Sequence, residues 1–341
     1  MLHFDTDYME GAHPLIMRRL LETNLEQTVG YGCDEYTKRA ESLILDACGI
    51  ENGRVHILIG GTQTNATVID GLLARHEGVI ATDVSHINNH ETGAIEATGH
   101  KVLVLPSGNG KLRADDVKRH IHDFYRDSTF EHMVFPGMVY ISHPTELGTL
   151  YSLEELQSLS AVCREASIPL YLDGARLGYG LAAEDTDVTL RDIARLCDVF
   201  YIGGTKVGAL FGEAVVITRR EILPHFYPLM KQHGALLSKG RLLGIQFETL
   251  FTDDLYLRIS EHAVRMAMKL KGAMLGKGYR LYVDSPTNQQ FFVMPNKEME
   301  RLRQIATFKP WGVCGESETP VRFVTCWATE ESDVDEFIGH L

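Results

Sequence analysis

The chain has 341 residues, 44% hydrophobic, 23% charged and 9% aromatic, ordinary proportions for a globular protein of about two domains. Disordered, collagen-like and coiled-coil classes are excluded, and no stretch approaches the roughly 18 apolar residues of a membrane span. With 33 basic against 46 acidic residues the formal charge is -13, which disfavours a nucleic acid or anionic membrane as partner but leaves room for a local small-anion pocket.

The opening Met1-Leu2-His3-Phe4-Asp5 has neither a basic leader nor an apolar run, so no secretory signal is expected. Short β-branched runs then recur at Val55–Ile59, Val79–Thr82, Val102–Leu105, Val139–Ser142, Leu170–Asp173, Val199–Ile202 and Ala214–Ile217. They are nearly all apolar rather than alternating, as strands buried on both faces must be. Between them lie helical stretches such as Asn65–Arg75, Ala114–Tyr125 and Leu153–Ala166, the last opening on the capping box Ser152-Leu153-Glu154-Glu155. This alternation predicts an α/β fold: a mostly parallel seven-stranded sheet with helices on both faces. Beyond Ile217 a long helical pattern runs from about Lys239 to Leu275. Strands are expected after it at Tyr279–Val283, Gln290–Val293 and Arg322–Cys326, with helices around Lys297–Thr307 and at the C-terminus. The expected division is a large domain over 1–240 and a connecting helix with a smaller α+β domain over 241–341. The six cysteines (Cys33, Cys48, Cys163, Cys197, Cys314, Cys326) contain no CxxC pair, which predicts reduced thiols in a cytoplasmic protein.

Ligands of open α/β sheets collect at the carboxyl ends of the strands, so the residues that follow each strand carry the functional reading. After Val55–Ile59 comes Gly60-Gly61-Thr62-Gln63-Thr64-Asn65 and a helix, which taken alone reads first as a tight strand-helix turn and second as a phosphate cradle. Ser85-His86 follows the second strand. Leu170–Leu172 ends in Asp173-Gly174-Ala175-Arg176, a partly desolvated carboxylate leaving an apolar strand and in need of a cationic partner. Gly203-Gly204-Thr205-Lys206-Val207-Gly208 places a lysine where burial favours its neutral, nucleophilic form. Singly, each has a plain structural reading. Together they are the set that pyridoxal phosphate requires: a helix terminus for phosphate, a carboxylate for the ring nitrogen and an amine for the Schiff base.

These motifs, Gly61-Thr62-Gln63-Thr64-Asn65, Ser85-His86, Asp173-Gly174-Ala175-Arg176 and Thr205-Lys206, resemble those of the threonine aldolase and β-eliminating lyase family, pyridoxal-phosphate enzymes of the aspartate-aminotransferase-like fold (fold type I). The resemblance runs from Gly30-Tyr31-Gly32 to Pro320-Val321-Arg322-Phe323-Val324. It implies Lys206 as the Schiff-base lysine, Asp173 as partner of the ring nitrogen, and Gly61, Thr62 and the helix start as far as Asn65 around the cofactor phosphate. It further implies His86 stacked on the ring, Arg322 on the substrate carboxylate, and Arg176 near the cofactor hydroxyl and that carboxylate. His132 lies near the place of a second family histidine, before the strand that leads to Thr145, so His86 and His132 are the two expected bases. The family's Ser-Asp-Thr-Val-Thr opening is replaced by Phe4-Asp5-Thr6-Asp7-Tyr8, and its neighbouring-subunit arginine has only loose counterparts, Lys239 or Arg241.

The implied reaction is cleavage of the Cα–Cβ bond of a β-hydroxy-α-amino acid, threonine or allo-threonine, to glycine and acetaldehyde. The alternative is a β-eliminating lyase that keeps the cofactor and releases ammonia and a keto acid. A homodimer or homotetramer with its site at the subunit interface is also implied. A non-catalytic binding scaffold has no need of a sheltered lysine. A nicotinamide enzyme lacks its GxGxxG, and His86 and His90, spaced as two metal ligands on a helix, lack a third, so no metal is expected.

Overall fold

The computed structural model describes residues 1–341. The chain starts with a two-residue strand, β1 (Leu2–His3). The large sheet follows, built from β2 (Arg54–Leu58), β3 (Glu77–Thr82), β4 (Val102–Leu105), β5 (Phe135–Ser142), β6 (Leu170–Asp173), β7 (Val199–Gly203) and β8 (Glu213–Ile217). Their order across the sheet is β2-β8-β7-β6-β5-β3-β4, and β8 alone runs antiparallel to its neighbours. The seven runs expected from the sequence are these seven strands.

Both faces of the sheet are covered, the physical reason its strands read as continuous apolar runs. On one face Met138, Tyr140, Tyr171, Val199 and Tyr201 pack with Val68, Ile69 and Phe226. On the other Val139, Ile141, Leu170, Leu172, Phe200 and Ile202 join Leu156, Leu159, Leu243 and Phe247. The helix Leu153–Ala166 is closed by the expected box: Ser152 Oγ accepts from Glu155 N at 3.2 Å, and Glu155 Oε2 accepts from Ser152 N at 2.8 Å. The helix after β2 begins at Gly61, four residues earlier than the apolar pattern indicated, and Gly60 caps it without a side chain.

The long helical pattern after residue 239 is two helices, Arg241–Leu250 and Leu255–Gly276. Asp253 and Asp254 break it with φ of 52° and 54°, a left-handed conformation that Asp tolerates because its short side chain bonds locally. Beyond lie β9 (Arg280–Val283), β10 (Gln289–Pro295), β11 (Ala306–Thr307), β12 (Lys309–Pro310) and β13 (Glu318–Val324). An antiparallel sheet of order β12-β13-β10-β9 packs Phe292, Phe323 and Val321 against Met266, Leu270 and Phe337. β1 pairs in parallel with β11, and Leu2 and Phe4 lie in that same core, so the first residues of the chain belong with the last. No helix is long and apolar enough to cross a membrane.

Candidate active site

The parallel strands end on one edge, and there a mostly polar cavity of about 310 Å3 opens. Gly60, Gly61, Thr62, Asn65, His86, Asp173, Arg176 and Lys206 all line it. Those eight positions come from four separate strand ends, so only the topology unites them.

Asp173 ends β6, directly opposite Ser142 of β5, and its carboxylate is buried. It accepts from Tyr140 Oη at 2.6 Å, from Tyr201 Oη, from Asn65 Nδ2 at 3.0 Å and from Ala175 N at 2.9 Å. Burial opposes ionisation, but the tyrosine hydroxyls, the nearby His86 and Asn65 outweigh it and hold the carboxyl below its usual value. An ionised, fixed acceptor thus faces the cavity. Gly174 makes the exit from the strand possible: a Cβ there would collide with the Tyr201 carbonyl, where Gly203 N also bonds Gly174 O at 2.9 Å.

Lys206 follows β7, and its Nζ has no hydrogen-bond or ion-pair partner within the chain. Burial lowers its pKa, Arg176 adds to that, and Asp7, Asp173 and Glu213 oppose it. Glu213 is a residue the sequence reading missed. It opens the antiparallel strand β8, whose start lies at the edge where the parallel strands end, and it accepts from Gly204 N at 3.1 Å. Burial pushes its carboxyl up to about 8.

Glu91 Oε1 accepts from His86 Nδ1 at 2.7 Å and from Asn65 Nδ2 at 2.8 Å. Asn65 therefore ties the histidine's carboxylate to Asp173, and Tyr171 Oη holds its Oδ1 at 2.9 Å. Glu91 has a fully buried side chain and was also missed, lying five residues past His86 on a short irregular stretch with no periodic pattern. Glu146, beyond β5, lines the cavity as well. Its Oε1 accepts from Ser142 Oγ at 2.7 Å and from His86 N at 2.9 Å.

Arg176 is held by Asp7: Nε to Oδ2 at 2.6 Å and Nη2 to Oδ1 at 2.9 Å, with Asn288 Nδ2 on Oδ2 at 3.0 Å. Burial works against the Asp7 charge, yet Arg176 and Lys206 hold the carboxyl below its usual range. Beside it Thr6 Oγ1 is buried with no partner, so the altered N-terminal segment still brings a hydroxyl to this region. Arg322 stands on β13, outside the cavity lining, with Nη1 on Gln289 Oε1 at 3.1 Å and its guanidinium over Trp311. Its Nε is buried and unpartnered, and burial, with Arg176 nearby, lowers its pKa to about 10. His132 is elsewhere: it is exposed on a 3-10 turn before β5, at the opposite end of that eight-residue strand from Ser142. β5 runs from the His132 end toward the cavity, which Ser142 and Thr145 line, so sequence proximity to Thr145 does not become spatial proximity.

The residues fit pyridoxal phosphate. Gly60 leaves open space where a Cβ would stand, and the helix Gly61–Leu72 starts there with backbone N–H groups free of any capping side chain. Lys206 Nζ is unpartnered, and Asp173 is an ionised acceptor.

A family model for β-eliminating lyases matches residues 3–287. The chain is 28% identical to the low-specificity L-threonine aldolase of Pseudomonas aeruginosa over 336 residues, covering 98% of this chain and 95% of that protein. The solved structure of Leishmania major threonine aldolase is 42% identical and superimposes with a TM-score of 0.97 over 100% of this chain and 98% of that one. An aspartate aminotransferase variant of Thermus thermophilus, 12% identical, gives 0.73 over 99% and 90% and shares the fold. The family match spans the glycine turn, His86, Asp173 and Lys206 without interruption, and the chain belongs to the β-eliminating lyase family.

Proposed function

We propose that this protein is a pyridoxal-phosphate-dependent aldehyde-lyase that cleaves threonine or allo-threonine between Cα and Cβ, giving glycine and acetaldehyde. The observation that carries the reading is the meeting of Lys206, Asp173, His86 and the bare helix start at Gly60 on one small cavity. Its volume is near the lower end, about 300 Å3, of small-molecule sites. When bound, pyridoxal phosphate supplies an electron-withdrawing ring that stabilises the pair released at Cα. Lys206 offers a partly desolvated amine with no competing bond. Asp173 holds a proton on the ring nitrogen, and the N–H groups from Gly61 onward take the phosphate. His86 has its imidazole orientation fixed by Glu91, which leaves Nε2 and the ring face for the cavity. Arg322, with an unsatisfied Nε, is the free cation for the substrate carboxylate, because Arg176 is engaged by Asp7.

Self-association belongs to the same proposal and is supported by exposed apolar side chains on the N-terminal arm, Leu21 at 78%, Leu25 at 92% and Val29 at 67%. A cytoplasmic location is supported by six unpaired cysteines, and a division near residue 240 by the separate core under β9–β13. The test is incubation of the purified holoenzyme with each threonine diastereomer. Acetaldehyde and glycine are expected. Ammonia with a keto acid would turn the assignment to β-elimination, and no product from a cofactor-loaded protein would refute it.

A further inference from the structure

On the reading just given, the reaction needs a group that takes the β-hydroxyl proton, and we propose that this group is Glu146, aimed by Ser142 and by the backbone of His86. Glu146 lines the cavity that holds Lys206. One of its oxygens is clamped: Oε1 accepts from Ser142 Oγ at 2.7 Å and from His86 N at 2.9 Å. The other, Oε2, has no hydrogen-bond partner in the chain, and no cation forms an ion pair with the carboxylate. A carboxylate fixed through one oxygen and open through the other is an oriented proton acceptor.

The other carboxylates lining the cavity are placed differently. Asp173 receives four donors, Glu91 takes His86 Nδ1 and Asn65 Nδ2 on Oε1 while its Oε2 is buried, and Glu213 accepts from Gly204 N beside Lys206, where burial pushes its carboxyl up to about 8. Of the two histidines, His132 is far from the cavity, and His86, fixed at Nδ1 by Glu91, is the ring-stacking group on the reading just given. The titratable groups around Glu146 are Tyr140 on β5, Asp173 on β6, His86 and Glu91 after β3, and Tyr151 beyond the turn. His86 is the one basic side chain among them. Burial raises the Glu146 pKa, with Asp173 adding to it, which makes the ionised form a stronger base than a solvated carboxylate.

The step balances within the substrate. Glu146 takes the hydroxyl proton, the O–H pair becomes the second C–O bond of the aldehyde, and the Cα–Cβ bond breaks with its pair left on Cα. Protonation of Cα gives glycine, and Glu146 returns its proton to solvent.

The test compares the wild-type holoenzyme with Glu146→Gln and Ser142→Ala. In Glu146→Gln, kcat for threonine should fall about 100-fold or more and the acid limb of its pH profile should vanish. Glycine affinity by calorimetry, exchange of the glycine α-hydrogen in deuterium oxide, and the melting temperature should hold, because none of them needs a hydroxyl base. Ser142→Ala removes a hydrogen bond to the ionised carboxylate, so its acid limb should move to higher pH. The proposal is overturned if Glu146→Gln keeps kcat within about threefold with its acid limb intact. It is equally overturned if glycine binding and α-exchange fall along with cleavage. Should Glu146→Gln fail to fold, an unmoved limb in Ser142→Ala is enough to reject the idea. A wild-type enzyme inert toward every β-hydroxy amino acid rejects the functional reading itself, a result visible before any variant is made.

Discussion

Replacing Asp7 by Asn leaves the shape of the N-terminal arm intact and removes the charge opposite Arg176. The Asp7 side chain is fully buried and that of Arg176 is 15% exposed, and two short bonds join them. Removing one member of such a pair strands the other without compensation, which costs about 3–5 kcal/mol. Asn keeps a carbonyl oxygen for one of the two bonds, so the expected loss lies near the lower end, about 3 kcal/mol. Urea unfolding at neutral pH measures it, with both proteins free of cofactor so that linked binding does not enter. The double variant Asp7→Asn/Arg176→Gln should lose less than the sum of the singles, with a coupling of about 1.5 kcal/mol or more. The pH dependence has a definite sign. Because the folded-state pKa of Asp7 is depressed, its contribution is full above the ordinary carboxylate range and disappears as pH falls through the lower, folded value. The gap between wild type and variant should therefore close in acid. A loss below about 1 kcal/mol at neutral pH, or a gap that widens on acidification, would refute the assignment of a buried, mutually dependent pair.

Gly174→Ala should destabilise by about 3 kcal/mol, since the new methyl meets the Tyr201 carbonyl and the strand exit has nowhere to move; chemical unfolding reads this directly. Tyr140→Phe withdraws one donor from a buried charged acceptor, worth about 1.5–3 kcal/mol, and should weaken retention of pyridoxal phosphate on dialysis by about tenfold or more. His132→Ala should leave threonine cleavage and stability within about twofold of wild type, because the side chain is exposed at the far end of β5. A large loss of kcat there would require that end of the strand to take part in the reaction.

The sheet was legible because doubly covered strands leave uninterrupted apolar runs, and the residues just after them were legible because parallel strands place their ligands there. Glu213 escaped that rule. It opens a strand rather than following one, and the reversal of β8 that carries it to the site leaves no mark in composition or periodicity. Glu91 and Glu146 escaped for a different reason: each sits past the end of regular structure, and an isolated glutamate in a turn is indistinguishable from a solvated one until burial is known. His132 shows the converse. Its closeness in sequence to the strand suggested participation, but a strand of eight residues separates its two ends by about 25 Å. The break at Asp253-Asp254 was hidden because amphipathic periodicity continues across it on both sides.

The pairing of Leu2 with Ala306, the bond from Val324 N to Phe4 O at 2.9 Å and the grip of Asn288 on Asp7 have a temporal consequence. During synthesis the ribosome delivers the first seven residues long before their partners exist. The seven-stranded sheet has all its strands once residue 217 has emerged, whereas the arm that engages Arg176 must wait for Asn288, Ala306 and Val324, roughly 70–110 residues later and about 4–20 s of translation. Until then a nascent chain that has assembled its sheet carries an unlatched arginine, and emergence of Val324, rather than folding of the sheet, marks the moment at which the arm can close.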